Sequence, residues 1–275
     1  MGRLSAELVV LHKRWSTWIL LGVWVMLGVM FGYLLPYLTY RGASTPPQAL
    51  IGLLPESLTD TLLAGFPVFG GVIALILGVL TVGSDYGWDT LKTILTQRSG
   101  RVRMLVAKLA ALGVALVTYV SAMLAAGAVT SYVIAAMESA PVSWQTPAEM
   151  ARALGAGWFV LAVWAGLGVM LAVLSRGTAL AIGLGVLYGM LIEALLSGIA
   201  GQVSWLQSAV EYSLRANAYS LVSALGVPAR ALTDNGPGSF SGPFVSTGHA
   251  LLVLASYLII ASGVAAAGLS RRDID

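Results

Sequence analysis

The sequence contains no cysteine and only two histidines, His12 and His249. Disulfide frameworks, thiolate metal sites and cysteine nucleophiles are therefore excluded. Two imidazoles offer no ligand set for a metal or a redox cofactor, so neither is expected. Charge is scarce as well: 10% of the 275 residues are charged and 58% are apolar, with a mean hydropathy of +0.87. A soluble domain carries about 25% charged and about 45–50% apolar residues. This balance excludes an ordinary soluble enzyme and a disordered chain. It predicts an all-α polytopic membrane protein with short loops. The first apolar run is too long for the core of a signal peptide, so none is expected.

What the sequence has in place of charge is long apolar runs. Six approach the roughly 20 residues that cross a bilayer: about 18–38, 62–82, 109–136, 154–174, 179–196 and 249–269. The remainder is too short for a soluble domain of ordinary size, so residues 1–275 are read as one membrane domain. Six spans return both termini to one side. Arg3, Lys13, Arg14, Lys92, Arg98, Arg101, Arg103, Lys108, Arg176, Arg271 and Arg272 fall on that side, 11 of the 15 basic residues. Arg41, Arg152, Arg215 and Arg230 fall on the other. Basic residues gather on cytoplasmic loops, so both termini are expected in the cytoplasm. Gly28 with Gly32, and Gly185 with Gly189, form small-xxx-small pairs suited to close helix packing, within one subunit or between subunits.

Three segments are not simple spans. Before the first, over residues 1–16, Leu4, Leu8, Leu11 and Trp15 share one helical face, with Glu7, Lys13 and Arg14 elsewhere. This predicts an amphipathic helix lying at the cytoplasmic interface, its basic residues near anionic lipid. Residues 197–248 form the longest outer segment. Its first half predicts a helix with an aromatic stripe, Trp205, Ala209, Tyr212, Ala216 and Tyr219, suited to the outer interface. Its second half, with Pro228, Pro237 and Pro243, reads as irregular backbone, either a packed cap or a gate. Glu193 is the one carboxylate well inside a span. It is expected to face protein or water rather than lipid, either as a structural partner of Arg215 or Arg230 or on a substrate path.

The loop between spans two and three, residues 84–104, is the most informative. Trp88, Leu91 and Leu95 lie at i, i+3 and i+7, and 90–96 holds no helix breaker. A short amphipathic helix is predicted, with Ser84 or Asp85 capping its start. A helix outside the bilayer with one apolar face calls for a partner surface. Asp85, Gly87, Thr90, Leu91, Lys92, Leu95, Thr96, Arg101 and Lys108 together resemble the first cytoplasmic loop of ABC-transporter permeases of the type-two exporter family. Asp85 stands where glutamate is usual in that pattern. The layout of interfacial helix, six spans and helical outer segment resembles the family too. The resemblance implies an exporter permease in a plasma (inner) membrane, with a coupling helix in this loop. It implies ABC ATPase subunits and a second permease copy, or a homologous permease, as partners beside membrane lipid. No nucleic acid is expected. ATP and magnesium would reside on the ATPase, because the sequence contains no Gly-x-x-x-x-Gly-Lys-Ser/Thr loop.

Two other readings compete. Ser241 and His249, with the run Gly238-Ser239-Phe240-Ser241-Gly242, raise an intramembrane serine protease, but Phe240 stands where the nucleophile elbow needs serine. An ATP-independent transporter or channel would show buried charged pairs or broken helices along an ion path. Pro67 is the proline placed mid-span, and Glu193 stands nearly alone.

Overall fold

The computed structural model describes residues 2–42, 48–87, 100–200, 204–227, 240 and 242–270. Among them there is no strand. Six helices are long and apolar enough to cross a membrane: Trp15–Gly42, Pro55–Asp85, Val102–Met137, Pro147–Ser175, Ala179–Ile199 and Thr247–Ser270. Each contains the corresponding predicted run and extends it, because helical hydrogen bonding continues past the apolar stretch. The near end of the bundle holds the start of span one, the close of span two and the start of span three. The far end holds the opposite termini of those helices.

Local sequence explains the boundaries. Span four opens with a capping box: the Glu149 N–H donates to Thr146 Oγ1 at 3.3 Å and the Thr146 N–H returns to Glu149 Oε2 at 2.7 Å. Pro147 follows at the first helical position, where its missing N–H costs nothing. Spans three and four end in left-handed residues, Ser139 at φ 49° and Arg176 at φ 56°. That conformation terminates a helix even without glycine.

Spans two and four form the centre. Over their apolar stretches 72% of residues are buried, against 11%, 22% and 22% in spans one, five and six. The central pair touches backbone to backbone. A Cβ on Gly78 would strike the carbonyl of Ala165, and a Cβ on Gly168 the carbonyl of Leu75. Without a hydrophobic force between helices in lipid, such close approach is a main source of association. The sequence-derived glycines also pack inside this chain. Gly28 faces the Met123 side chain, and Gly32 faces Thr61. Gly185 lies against Leu75 and Gly189 against the Trp164 ring. The outer helices leave large apolar side chains exposed, such as Leu252, Ile259 and Ile260 on span six. A lipid or partner-subunit surface suits them.

Three spans contain a π turn, in which an N–H bonds five residues back instead of four. These are Met30–Leu34, Phe66–Gly70 and Leu187–Ile192. The bonds run from Leu35 to Met30, Gly71 to Phe66 and Glu193 to Tyr188. Pro36 joins Pro67 as a proline inside a span.

Two sequence expectations are corrected. The first helix covers Arg3–Lys13 rather than 1–16, because Arg14 is extended (φ −78°, ψ 121°). Trp15 therefore starts span one and is 82% exposed instead of continuing the face of Leu8 and Leu11. The predicted outer aromatic helix is two helices, Ser204–Val210 and Leu214–Ser223. Ser213 breaks them by capping the second, its Oγ accepting the Ala216 N–H at 3.1 Å. Leu214 to Val222 are all buried, so this outer helix is packed in the bundle and does not present a stripe at an interface.

Candidate functional site

The near-end helices bring four charged residues together at the foot of the loop between spans two and three. Asp85 closes span two and Lys108 lies in the second turn of span three. The Lys108 ammonium is 3.0 Å from Asp85 Oδ2 and 3.0 Å from Glu7 Oε2 on the first helix. Arg14, at the break before span one, approaches Asp85 at 3.7 Å and donates to the Leu80 carbonyl at 2.7 Å. Asp85 is 7% and Lys108 4% exposed. Two cations and two anions thus neutralise one another where water is scarce, which is the condition for holding charge in an interior. The clasp ties span two, span three and the first helix at one point.

The sequence singled out Asp85 and Lys108 as separate ends of a motif, and the structure joins them. It missed Glu7 and Arg14. Arg14 was expected among lipid headgroups and faces Asp85 instead. Ser84 and Asp85 were expected to cap a loop helix. The helix of span two runs on through Gly87, so both lie within it, and Ser84 Oγ donates back to the Leu80 carbonyl at 2.7 Å. Span three begins at Arg101. Trp88, Thr90, Leu91, Lys92, Leu95 and Thr96 lie outside the described residues.

Glu193 is 1% exposed at the far end of span five. Its Oε1 accepts the Leu214 N–H at 2.9 Å and its Oε2 the Arg215 N–H at 3.0 Å. A carboxylate here satisfies two orphan N–H groups of the outer helix and meets the positive end of its dipole. Tyr188 adds a hydroxyl hydrogen bond to the same carboxylate. The neighbouring Tyr257 hydroxyl donates to the Tyr212 carbonyl at 3.2 Å. Arg215 contributes its backbone N–H to Glu193, and its guanidinium lies 5.7 Å from the Tyr219 ring centre. Arg230 is outside the described residues.

A smaller far-end cluster joins spans one and three. The Tyr37 hydroxyl donates to Glu138 at 2.6 Å and Arg41 Nε at 3.1 Å. The Tyr37 bond, reinforced by the Arg41 charge, holds the Glu138 carboxyl below its usual range. Of the protease residues, Ser241 lies outside the described residues. His249 has a structural setting: Nε2 is 3.2 Å from the Glu211 carbonyl and the ring is 5.1 Å from that of Tyr212.

These features define an all-helical, multi-pass membrane protein with a charge-neutral clasp under one loop. Residues 4–192 match the family model described as ABC-2 family transporter protein. The match spans more than half of the chain, and the chain belongs to that family. It is a membrane permease of an ABC system, a transport component. Permeases of this family normally work with ABC ATPase partners. No curated protein matches the chain.

Proposed function

We propose that the chain is the permease subunit of an ATP-driven exporter of an amphiphilic or hydrophobic substrate. A separate ATPase docks on the loop between spans two and three, and ATP and magnesium bind to that ATPase. The observation that carries this reading is the clasp at the foot of the loop, in which buried Asp85 and Lys108 are flanked by half-buried Glu7 and Arg14. A push on the loop reaches spans two and three together, because Asp85 and Lys108 couple their ends. Span two is locked to span four through the glycine contacts at Gly78 and Gly168. Motion at the near end thus has a stiff route through the bundle centre, as a rocking transition between inward-open and outward-open states needs. Gly87, Trp88, Thr90, Leu91, Lys92, Leu95 and Arg101 supply the docking surface, with Trp88, Leu91 and Leu95 as its apolar face. A second copy or a homologous permease completes the path, against exposed faces of this chain.

Leu91→Asp tests the docking. A charge placed in an apolar contact is left unpaired and costs several kcal/mol, on the order of 3–5. Insertion into the membrane is expected to be normal, ATPase copurification to be lost, and ATP-dependent export to fall to background. Normal copurification together with normal export would remove this loop from the coupling.

The near end is the cytoplasmic end in this reading, on the strength of 11 of 15 basic residues. A tag at either terminus of sealed cells is expected to be protected from external protease. Cleavage of a C-terminal tag from outside would overturn the orientation.

A further inference from the structure

The three π turns have different causes. Those in spans one and two adjoin Pro36 and Pro67, whose rings and missing N–H groups disturb the α ladder. Span five contains no proline. Nothing covalent stops the Glu193 N–H from bonding to the Gly189 carbonyl, as an α-helix would have it. It bonds to Tyr188 instead. Gly189 inside the turn weakens the α ladder there and packs against the Trp164 ring, and the partners of Glu193 are the contacts that hold the turn. Its carboxylate is held by the Leu214 and Arg215 N–H groups and by Tyr188, and its carbonyl accepts from Ser197 Oγ. Tyr188 and Glu193 are five residues apart, which in a continuous α-helix places them about 140° apart around the axis. The π turn is what lets the tyrosine hydroxyl reach the carboxylate.

On the far side of this contact lies the outer helix, buried from Leu214 to Val222. It packs on span six, on span four and on the π turn of span two. Two other polar bonds tie its body to flanking segments: Asn217 Nδ2 to the Glu211 carbonyl at 2.8 Å, and Ser220 Oγ accepting the Val245 N–H at 2.9 Å. Its N-terminus is held by Glu193 and the Ser213 cap. The carboxylate is thus the side-chain link from span five to the start of the outer helix, beside Tyr257 and His249 of span six, which reach the Tyr212 and Glu211 carbonyls just before it.

We propose that Glu193 and the π turn at Leu187–Ile192 form a latch that closes the far end of the path, an inference that rests on the permease reading. When the turn reverts to α register, the remainder of span five rotates by about 100°, one residue's worth of helix. The carboxylate leaves the Leu214 and Arg215 N–H groups. The freed donors and the charge then require water, so the open state is hydrated and the closed state dry. π turns of this kind are single-turn insertions in α-helices and occur frequently at functional sites.

The absence of cysteine makes the test direct. Ala218→Cys, 0% exposed on the outer helix, serves as the reporter for a membrane-impermeant maleimide in the purified permease without ATPase or ATP. Glu193→Leu is expected to raise the labelling rate about tenfold or more, because two charge-assisted bonds are lost. Leu214→Pro removes one of those donors without touching span five. Proline is tolerated at this first helical position, and Ser213 before it is already extended (φ −67°, ψ 149°). It is expected to raise labelling in the same direction. Deleting Met190, a residue of the π turn that is 46% exposed, removes the extra residue of the turn and leaves Glu193 in place on a plain α-helix. Labelling should then stay at or below the starting rate, and export with the ATPase should be lost while copurification is retained. Unchanged labelling in both Glu193→Leu and Leu214→Pro would overturn the latch. So would normal export by the Met190 deletion. Failure of the native permease to copurify with an ATPase would instead strike the permease reading, and the ATP-free labelling would still report on the latch.

Discussion

Gly168→Ala is expected to prevent stable assembly of the helix bundle, although it adds one methyl group. In a helix interior, alanine ordinarily stabilises relative to glycine by roughly 0.5–1 kcal/mol. The sign reverses here because of what the methyl meets. Its neighbours are the Leu75 carbonyl oxygen, the Leu75 carbonyl carbon at 3.0 Å and the Val79 nitrogen at 3.1 Å. These are backbone atoms, and no rotamer change moves them aside. Span two must back away from span four, and the centre of the protein loses its contact. Overpacking costs about 1–3 kcal/mol where side chains can yield, and more where they cannot. Gly78→Ala, against the Ala165 backbone, is expected to behave alike. Gly22→Ala and Gly263→Ala are the references, because nothing lies within 4 Å of either added methyl. The references should elute as one species and melt at or above the native temperature in detergent. The two central variants should aggregate or melt well below it. If all four melt alike, the backbone contact between spans two and four does not hold the bundle together.

The number and order of spans were legible because the bilayer imposes a length, and apolar runs of that length have few other uses. The sites were legible only where their cause is local. Asp85 and Lys108 stood out by their pattern around one loop. Glu7 and Arg14, which complete the clasp, are drawn in by contacts about a hundred positions and seventy positions away along the chain. No periodicity reports such pairings. The small-xxx-small spacing found Gly28, Gly32, Gly185 and Gly189, but the tightest contacts are at Gly78 and Gly168, where the partner is a carbonyl on another helix. The aromatic stripe of the outer segment has helical spacing on both sides of Ser213, so its period continues across a break that only the cap creates. The π turn of span five is hidden for a related reason. Its local sequence holds no proline, its glycines are of a kind common in membrane helices, and the contacts that hold the distortion are the carboxylate's distant partners.

Lys108→Met should be the most damaging single change in the clasp, and the four residues are not equivalent. Lys108 lies 3.0 Å from two carboxylates, whereas Arg14 reaches Asp85 only at 3.7 Å. Its loss leaves two anions facing one cation, with Glu7 deprived of its close partner and Asp85 nearly buried. Removing one partner of a buried ion pair costs about 3–5 kcal/mol, because the charge left behind has lost its solvent and its counter-ion. Asp85→Asn should cost less, since Lys108 keeps Glu7 and the amide still accepts a hydrogen bond. Asp85→Asn combined with Lys108→Met should recover part of the loss, because the buried anion is then gone. Salt distinguishes this from a surface effect: an exposed pair is screened within about 3 Å at 1 M ionic strength, and a buried one is not. The melting deficit of Lys108→Met should therefore persist at high salt. Export should fall further than ATPase copurification does, because the loop keeps its docking face and loses its rigid footing on spans two and three. Native melting and native export in Lys108→Met would show that the clasp neither supports the fold nor transmits motion.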